Sequence, residues 1–471
     1  MKLVITAMPM VGHLTPMLAI ARIALARGDD VIVLTASHHA DKVRGVGARF
    51  VPLPPSADMD LSRLEERFPE RAALPLGPPR ILFDFQRIFL DVMPAQAAVL
   101  REILDEERPD ILVTDAFFFG ATPIFLDRSR SRPPIVACGT TFLPLDRPDG
   151  APTGPGLPPA RDEADRARYV TIAQDVETHL NGPVRAYADA LLAGLGLPAL
   201  PCSLWQSRVM LAEAYLQPTA PSFEYDFGAP PNDIRFVGVL EACAAGTQQP
   251  DWWGDLDGTR RIVLVTQGTV ANDDFSQLVE PTLAALADCE DLLVVVTTGG
   301  RPTASVRGPI PGNARIATFF DVPAVLSKAD VLVTNGGYGT LSQALRTGVP
   351  VVAGGTTEDK SEVCARIAWS GVGLDLGTST PDRNAIRTAV DRLLLEPSFR
   401  ANARAIAADL VGIDAEREIL ATIDQVAARS WTEAAGILAD AFDQPVGDER
   451  RQRGKVSAEP SGSSGSQTSA F

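Results

Sequence analysis

Residues 329–353 have the sequence ADVLVTNGGYGTLSQALRTGVPVVA, and this stretch decides the fold. The run Val331 to Thr334 is short, apolar and β-branched, which is typical of a strand buried in a parallel sheet. Leu341 to Arg346 has the composition of a helix, and the Gly-Val-Pro sequence that follows ends this helix before a second buried run, Val349 to Ala353. A strand, a helix and a strand in this order predict an α/β fold with a parallel sheet.

The turn between the first strand and the helix, Asn335 to Thr340, is rich in glycine. Glycine lets the backbone take positive φ angles and lets a ligand approach without meeting a Cβ atom. The next amides lie at a helix N-terminus, where unpaired N–H groups and a partial positive charge favour a diphosphate. Many α/β proteins carry such a turn as plain packing, so the turn alone leaves both interpretations open.

The alternation of strand and helix extends outward through both halves of the chain. It predicts strands at 2–7, 30–35, 50–52, 110–114, 134–138, 261–266, 292–297 and 314–318, and helices at 14–27, 94–107, 275–287 and from 362 to about 429. We therefore expect two doubly wound, Rossmann-like domains. The predicted parts are 1–240 (first domain), 241–260 (linker), 261–430 (second domain), 431–444 (a terminal helix that packs back on the first domain) and 445–471 (a disordered tail).

The composition excludes several classes of function. The chain has 471 residues, enough for two domains that each bury a core. Its formal net charge of −16 argues against nucleic acid or an anionic membrane as a partner, and no apolar run approaches the roughly 18 residues of a membrane span. The five scattered cysteines fit reduced thiols in a cytoplasm, and four histidines are few for a zinc enzyme.

The central stretch becomes more specific when it is followed as far as Lys360. Its spacing resembles the donor-binding signature of the nucleotide-sugar glycosyltransferases of the plant secondary-metabolite and bacterial macrolide type. The matching positions are Gly337, Thr340, Gln343, Gly348-Val349-Pro350 and Asp359-Lys360. The resemblance covers about residues 1 to 430 and implies the GT-B fold, in which two Rossmann-like domains face an interdomain cleft. Three residues depart from the pattern: Asn335, Gln343 and Lys360 replace the family's His, Glu and Gln.

The resemblance also implies where a UDP-sugar binds. The first amides of the helix, its dipole and the Thr340 hydroxyl would stabilise the departing diphosphate without a metal. Phe319 would stack on the base, and the departures leave the sugar's identity open. The predicted donor site consists of Thr269, Phe319, Val322, Asn335, Gly337, Gly339, Thr340, Gln343, Asp359 and Lys360.

His13 and Asp115 are the predicted catalytic residues. His13 directly follows the first strand, and an imidazole that titrates near pH 6.5 can take a proton from a hydroxyl at neutral pH. Asp115 ends a strand predicted to neighbour the first one, where a carboxylate can orient the imidazole. From the residues alone, His13 can equally be a packed ring and Asp115 a helix cap. The resemblance favours the catalytic roles, because the family has its base in a Gly-His-x-x-Pro setting like that of residues 12–16.

Two insertions, 54–93 and 141–170, are rich in proline, glycine and aromatic residues. Long insertions on an α/β scaffold usually form a binding surface, although each aromatic ring can also belong to a local core. The predicted acceptor residues are Phe83, Phe85, Phe118 and Thr141. The first turn lacks the Gly-x-Gly-x-x-Gly sequence of nicotinamide and flavin sites, so no cofactor is expected.

These observations predict an inverting glycosyltransferase that moves a sugar, most simply glucose, from a UDP-sugar to a hydroxyl of an apolar small molecule. Two Asp-x-Asp sequences, at 58–60 and 255–257, do not end a clear strand, and no metal site is expected. The sequence leaves three alternatives open: a transferase for dTDP-deoxysugars, a nucleotide-sugar epimerase and a binding protein without turnover. It does not fix the acceptor or the oligomeric state.

Overall fold

The chain folds into two α/β domains, each built on its own parallel sheet. The structure is a computed structural model that describes residues 1–61, 64–75, 77–229, 233–241, 249–269, 271–429 and 431. The two sheets do not share a strand within these ranges. The predicted fold class, two doubly wound domains, is therefore confirmed.

The first sheet contains seven strands among the described residues, and all of its paired neighbours are parallel. The strand order is β3-β2-β1-β4-β5-β6-β7. The strands are β1 (Lys2–Thr6), β2 (Asp30–Thr35), β3 (Arg49–Pro52), β4 (Ile111–Asp115), β5 (Ile135–Cys138), β6 (Ala214–Gln217) and β7 (Asp233–Phe236). The last two were not predicted from the sequence, and β7 is only half-buried along its whole length.

The helices of the first domain cover both faces of this sheet. They are α1 (Val11–Arg27), α2 (Ala40–Gly45), α3 (Leu64–Arg67), α4 (Pro78–Asp84), α5 (Met93–Glu107), α6 (Thr122–Leu126), α7 (Glu163–Val176), α8 (Gly182–Gly194) and α9 (Ser207–Leu211). Alternate strand residues point to opposite faces, so Leu3 and Ile5 join one apolar cluster and Val4 joins the other.

The second sheet repeats this arrangement with six strands in the part of the chain that is described, in the order β10-β9-β8-β11-β12-β13 and again parallel. The strands are β8 (Arg261–Thr266), β9 (Leu292–Thr297), β10 (Ala314–Ala317), β11 (Val331–Thr334), β12 (Val351–Ala353) and β13 (Gly373–Asp375). The helices that follow are α10 (Val279–Ala285), α11 (Val322–Leu326), α12 (Tyr338–Arg346), α13 (Lys360–Trp369), α14 (Arg383–Leu395), α15 (Pro397–Gly412) and α16 (Ala415–Ala427).

The chain order reverses between β1 and β4 in the first sheet, and between β8 and β11 in the second. Open parallel sheets bind ligands at such switch points, outside the carboxyl ends of the strands. His13 follows β1 and Asp115 is the last residue of β4, and the turns beginning at Gln267 and Asn335 follow β8 and β11. The topology therefore gives each domain one ligand-binding edge.

The last described helix, α16, packs on the first domain rather than the second. Its Ile419, Ile423 and Val426 belong to the apolar cluster that covers β1 and β4. The predicted boundary at 430 therefore lies beyond the point where the chain crosses back. The segment predicted as the returning helix lies outside the described residues except for Trp431, whose indole donates to the Pro109 carbonyl (3.1 Å). The predicted tail, 445–471, also lies outside them.

The two domains share an apolar interface. Phe142, Ala220 and Phe223 follow strands of the first sheet, yet they belong to the cluster that contains Leu341 and Val363 of the second domain. In the predicted linker, Trp252 and Trp253 pack against the same cluster. Within the described ranges, no helix is both long enough and apolar enough to cross a bilayer.

Candidate active site

His13 and Asp115 are in direct contact at the switch point of the first sheet. His13 lies in the first turn of α1, and its Nδ1 atom lies 3.0 Å from both carboxylate oxygens of Asp115. Asp115 is fully buried, and it also accepts hydrogen bonds from the amides of Met8 and Phe117, both at 2.9 Å. These two bonds fix the carboxylate. Because Nδ1 then carries the proton, the Nε2 lone pair is available to accept one.

A buried arginine, Arg208, interacts electrostatically with this carboxylate. Arg208 in α9 is 1% exposed, and its guanidinium lies 5.1 Å from the ring of Phe119 and donates to the Thr122 hydroxyl. Burial lowers the pKa of Arg208 to about 9, and the charge of Asp115 opposes that change.

Two consecutive threonines after β5 connect the two domains. Thr140 Oγ1 lies 3.1 Å from His13 Nδ1. The hydroxyl of Thr141 donates to Asp359, which immediately precedes α13 in the second domain. Burial raises the pKa of Asp359, whereas the bond from Thr141 and the nearby His13 act in the opposite direction. The loop that contacts the histidine of one domain thus also contacts the predicted sugar-binding carboxylate of the other.

Beside these two threonines is an open pocket, and five of its lining residues are aromatic. Phe117, Phe119 and Trp205 form one side, and the Phe117 ring meets His13 edge-on with centroids 5.1 Å apart. Other lining residues are Thr140, Thr141, Phe142, Pro144, Thr153, Gly154, Tyr215, Glu358, Asp359 and Glu362.

The predicted acceptor residues lie only partly in this pocket. Thr141 lines it, whereas Phe85 lies behind the wall with its ring 4.2 Å from that of Trp205. Phe118 is fully buried in the core, and Phe83 packs against Phe68 instead. Of the three consecutive phenylalanines after β4, Phe117 and Phe119 line the pocket, whereas the predicted Phe118 points away from it. Nothing in the sequence indicated Trp205.

The glycine-rich turn of the second domain leads into α12, which begins at Tyr338 and has no side-chain cap. Gly336 has φ +89°, and a Cβ atom there would lie 2.9 Å from Cys364 Sγ. Gly339 is exposed and has open space around it, and Thr340 is half-buried. The first amides of α12 are therefore accessible to an anion.

Asn335 does not face this anion site as a donor, contrary to expectation. Its Nδ2 donates to the Gln267 carbonyl at 2.7 Å, which ties the turn after β11 to the turn after β8. Its Oδ1 is buried without a partner among the described atoms. The amide is used this way because the neighbouring carbonyl lies within reach and needs a donor.

Lys360, a second departure from the family pattern, is also turned toward protein. Lys360 is 6% exposed; its stem passes close to Gly355, and its ammonium pairs with Glu358. Burial lowers the pKa of Lys360 to about 8. Gln343 is half-buried, and its Oε1 has no partner in the described part of the chain.

The predicted base-binding residues lie at the carboxyl edge of the second sheet. Phe319 is 56% exposed, and its ring lies over Gly300, where a Cβ atom would meet Cζ at 2.9 Å. Val322 begins α11, which Asp321 caps, and Thr269 is exposed in the turn after β8. An exposed aromatic ring beside a glycine turn is suited to stacking on a planar base.

The structure adds a contact between the domains that the sequence did not predict. The Gln217 amide, at the end of β6, donates to the Tyr338 hydroxyl (3.1 Å) and to the Thr141 carbonyl (2.8 Å). Tyr338 is the first residue of α12, so this contact joins the predicted anion site to the first domain. Within the described residues, no group of three or more His, Cys, Asp or Glu side chains could hold a metal ion.

Comparison with known proteins gives consistent matches. Residues 280–426 match the family model described as "Erythromycin biosynthesis protein CIII-like, C-terminal domain". The chain is 36% identical to 4'-demethylrebeccamycin synthase of Lentzea aerocolonigenes over 88% of this chain and 96% of the relative. It is 31% identical to UDP-glucosyltransferase A1 of Starmerella bombicola over 90% of this chain and 92% of the relative. The fold is similar to that of glycosyltransferase VinC in complex with dTDP, with a TM-score of 0.62 and 18% identity over 91% of this chain and all (100%) of the other.

Proposed function

Because the chain belongs to family 1 of the natural-product glycosyltransferases, we propose that it moves glucose from UDP-glucose to a hydroxyl of a largely apolar, aromatic acceptor. One observation carries this proposal: the pocket beside His13 is also lined by Asp359 of the other domain. An acceptor in that pocket would lie between a base and a residue suited to hold a sugar. The aromatic walls favour a flat, apolar acceptor.

In the proposed reaction, His13 Nε2 takes the proton of the acceptor hydroxyl. The oxygen attacks the anomeric carbon on the side opposite the diphosphate, so the new bond forms as the bond to UDP breaks and the configuration inverts. Asp115 stabilises the positive charge that His13 acquires, since it holds Nδ1 at 3.0 Å. The products are the glycoside, UDP and one proton.

The leaving diphosphate would be stabilised by the first amides of α12 and by the Thr340 hydroxyl. Fixed N–H groups at a helix N-terminus supply positive potential where negative charge develops. We propose that this suffices without a metal ion or other cofactor. A cytoplasmic location, predicted from the cysteine pattern, is part of the same proposal.

Mass spectrometry of reactions that pair UDP-glucose with a library of aromatic and polyketide alcohols tests this function. The expected result is a hexose added to one class of acceptor, with transfer abolished in His13→Ala and UDP affinity nearly intact. Equal loss of transfer and of UDP binding would contradict the role of His13. Absence of any product, together with UDP binding, would favour a binding protein without turnover.

A second donor class is supported by Gln343. A glutamine offers a neutral amide where the family pattern has the carboxylate that holds ribose hydroxyls, which suits a nucleotide with fewer hydroxyls, such as dTDP. Parallel reactions with UDP-glucose and dTDP-sugars separate the two donors by the mass of the product.

A further inference from the structure

A buried ion-pair cluster crosses from one domain to the other beside the acceptor pocket. It consists of Glu224, in the loop between β6 and β7, and of Glu362 and Arg366 in α13; we call it the interdomain clamp. Arg366 Nε lies 2.8 Å from Glu224, and Nη1 lies 2.6 Å from Glu362. All three residues are at most 5% exposed, and the guanidinium also lies 4.8 Å from the Phe142 ring.

The clamp contains two carboxylates but only one guanidinium. The remaining oxygens are satisfied by backbone amides of the first domain. Glu224 Oε1 accepts from Leu143 (3.0 Å), and Glu362 Oε1 accepts from Gly154 (2.7 Å) and Gly156 (3.2 Å). All three amides belong to the loop 142–156. If this loop moved away, Oε1 of the buried Glu362 would lose both of its donors, which is unfavourable.

The backbone geometry holds the loop equally close. Gly156 has φ +69°, and a Cβ atom there would lie 2.2 Å from the Ser361 carbonyl in the first turn of α13. Only glycine allows this approach. The same loop supplies Phe142, Pro144, Thr153 and Gly154 to the wall of the pocket. The helix α13 of the second domain therefore holds in place a pocket wall that belongs to the first domain.

We propose that Glu362 and Arg366 are positioning residues that set the shape of the acceptor pocket. Asp359 immediately precedes α13, so the clamp holds the acceptor wall and the predicted sugar-binding carboxylate in one fixed relation. The proposal rests on the proposed function, because it takes the pocket to be the acceptor site. It gives the clamp a role in acceptor selection and none in binding the nucleotide.

Two variants test the proposal from different directions. Glu362→Gln removes the charge but keeps the shape, and Gly156→Ala displaces the loop without touching a charge. The first matched control is Glu213→Gln, which disrupts the equally buried pair with Arg132 just before β5 and β6, at the amino ends of these strands. The second is Gly194→Ala, where a Cβ atom meets nothing within 4 Å.

The readouts are dissociation constants, so they do not require turnover. Umbelliferone, a planar phenol, is titrated by the fluorescence of Trp205 and the other tryptophans, and UDP is titrated by calorimetry. Both test variants should bind umbelliferone about tenfold more weakly and UDP within about twofold of the wild type, as expected for a wall displaced by a fraction of an ångström to an ångström. Both controls should leave the two affinities unchanged, even where they lower the melting temperature.

Unchanged umbelliferone affinity in a folded Gly156→Ala protein would overturn the proposal, as would a parallel loss of UDP affinity in the test variants. A wild type that binds UDP but not umbelliferone would instead contradict the assignment of the pocket, and with it the proposed acceptor class. If Glu362→Gln does not fold, Gly156→Ala decides alone.

Discussion

Asp115→Asn is the sharpest test of the catalytic site, because the change preserves the shape of the side chain and removes only its charge. In the structure three N–H groups point at this carboxylate: the amides of Met8 and Phe117 and the Nδ1 of His13. An asparagine has one oxygen and one NH₂ group. At least one of the three donors would then face another donor.

This mismatch has a cost in stability and a larger cost in rate. A buried donor without an acceptor costs about 1 to 3 kcal/mol of unfolding free energy. If His13 instead turns its proton to Nε2 to avoid the clash, it can no longer accept the acceptor's proton. The analogous change in serine proteases lowers kcat about 10⁴-fold, so we expect kcat to fall about 10³- to 10⁴-fold, or about 4 to 5 kcal/mol in the barrier.

The assay measures kcat at saturating donor and acceptor, the UDP dissociation constant by calorimetry, and the unfolding free energy in urea. The matched control is Asp110→Asn, since Asp110 lies at the opposite end of the same strand and accepts from the Lys2 amide. The control should retain wild-type kcat. If Asp115→Asn retains more than about a tenth of the wild-type kcat, the tautomer argument is wrong.

Three further predictions concern the donor site and the acid stability of the first domain. Phe319→Ala should weaken UDP binding about 5- to 150-fold by calorimetry, because stacking on a base contributes about 1 to 3 kcal/mol, whereas the exposed Leu395→Ala should not. Gly339→Ala should keep the wild-type melting temperature, since its Cβ atom meets open space. The variant should nevertheless bind UDP more weakly, because that atom enters the anion site. Unchanged UDP affinity would show that the diphosphate does not bind at the N-terminus of α12. Burial, together with the charges of His38 and Lys42, lowers the pKa of His39 to about 4. Between about pH 6.5 and pH 4 the unfolded chain therefore binds more protons than the folded protein, and the free energy of unfolding decreases as the pH is lowered. This group alone should make the protein about 2 kcal/mol less stable at pH 5 than at pH 7 in urea titrations, and His39→Gln should abolish that difference.

The sequence predicted the strands that carry the catalytic and donor residues because those strands are apolar on both faces. The predicted limits of Asp30–Thr35, Arg261–Thr266, Leu292–Thr297 and Val331–Thr334 agree with the structure to the residue. Each of these runs is directly preceded by a charged residue, which leaves few alternative starting points. The contact of His13 with Asp115 followed from the pairing of β1 with β4, which brings their carboxyl ends together.

What the sequence could not provide are contacts that depend on the path of loops. Glu362 and Arg366 look like an ordinary solvent-exposed pair one helical turn apart. Their burial depends on Glu224, which is 142 residues away from Arg366 in the chain. The direction of the rings after Asp115 depended on the turn geometry in the same way, so the prediction selected Phe118 rather than its two neighbours.

The structure also bears on whether the three departures from the family pattern imply lost catalysis. Asn335 donates to a backbone carbonyl and Lys360 pairs with Glu358, so both side chains stabilise the donor domain itself. The groups that an incoming diphosphate would meet are the first amides of α12, which are present whatever side chains surround them. On the acceptor side, His13 and Asp115, which would move the proton, are in contact, and a backbone amide holds Asp115 in place. The three substitutions leave the amides of α12 and the pair of His13 and Asp115 in place, so we expect them to change the preference for a donor rather than to abolish transfer. A comparison of UDP-sugars with dTDP-sugars is therefore the more informative experiment on Gln343.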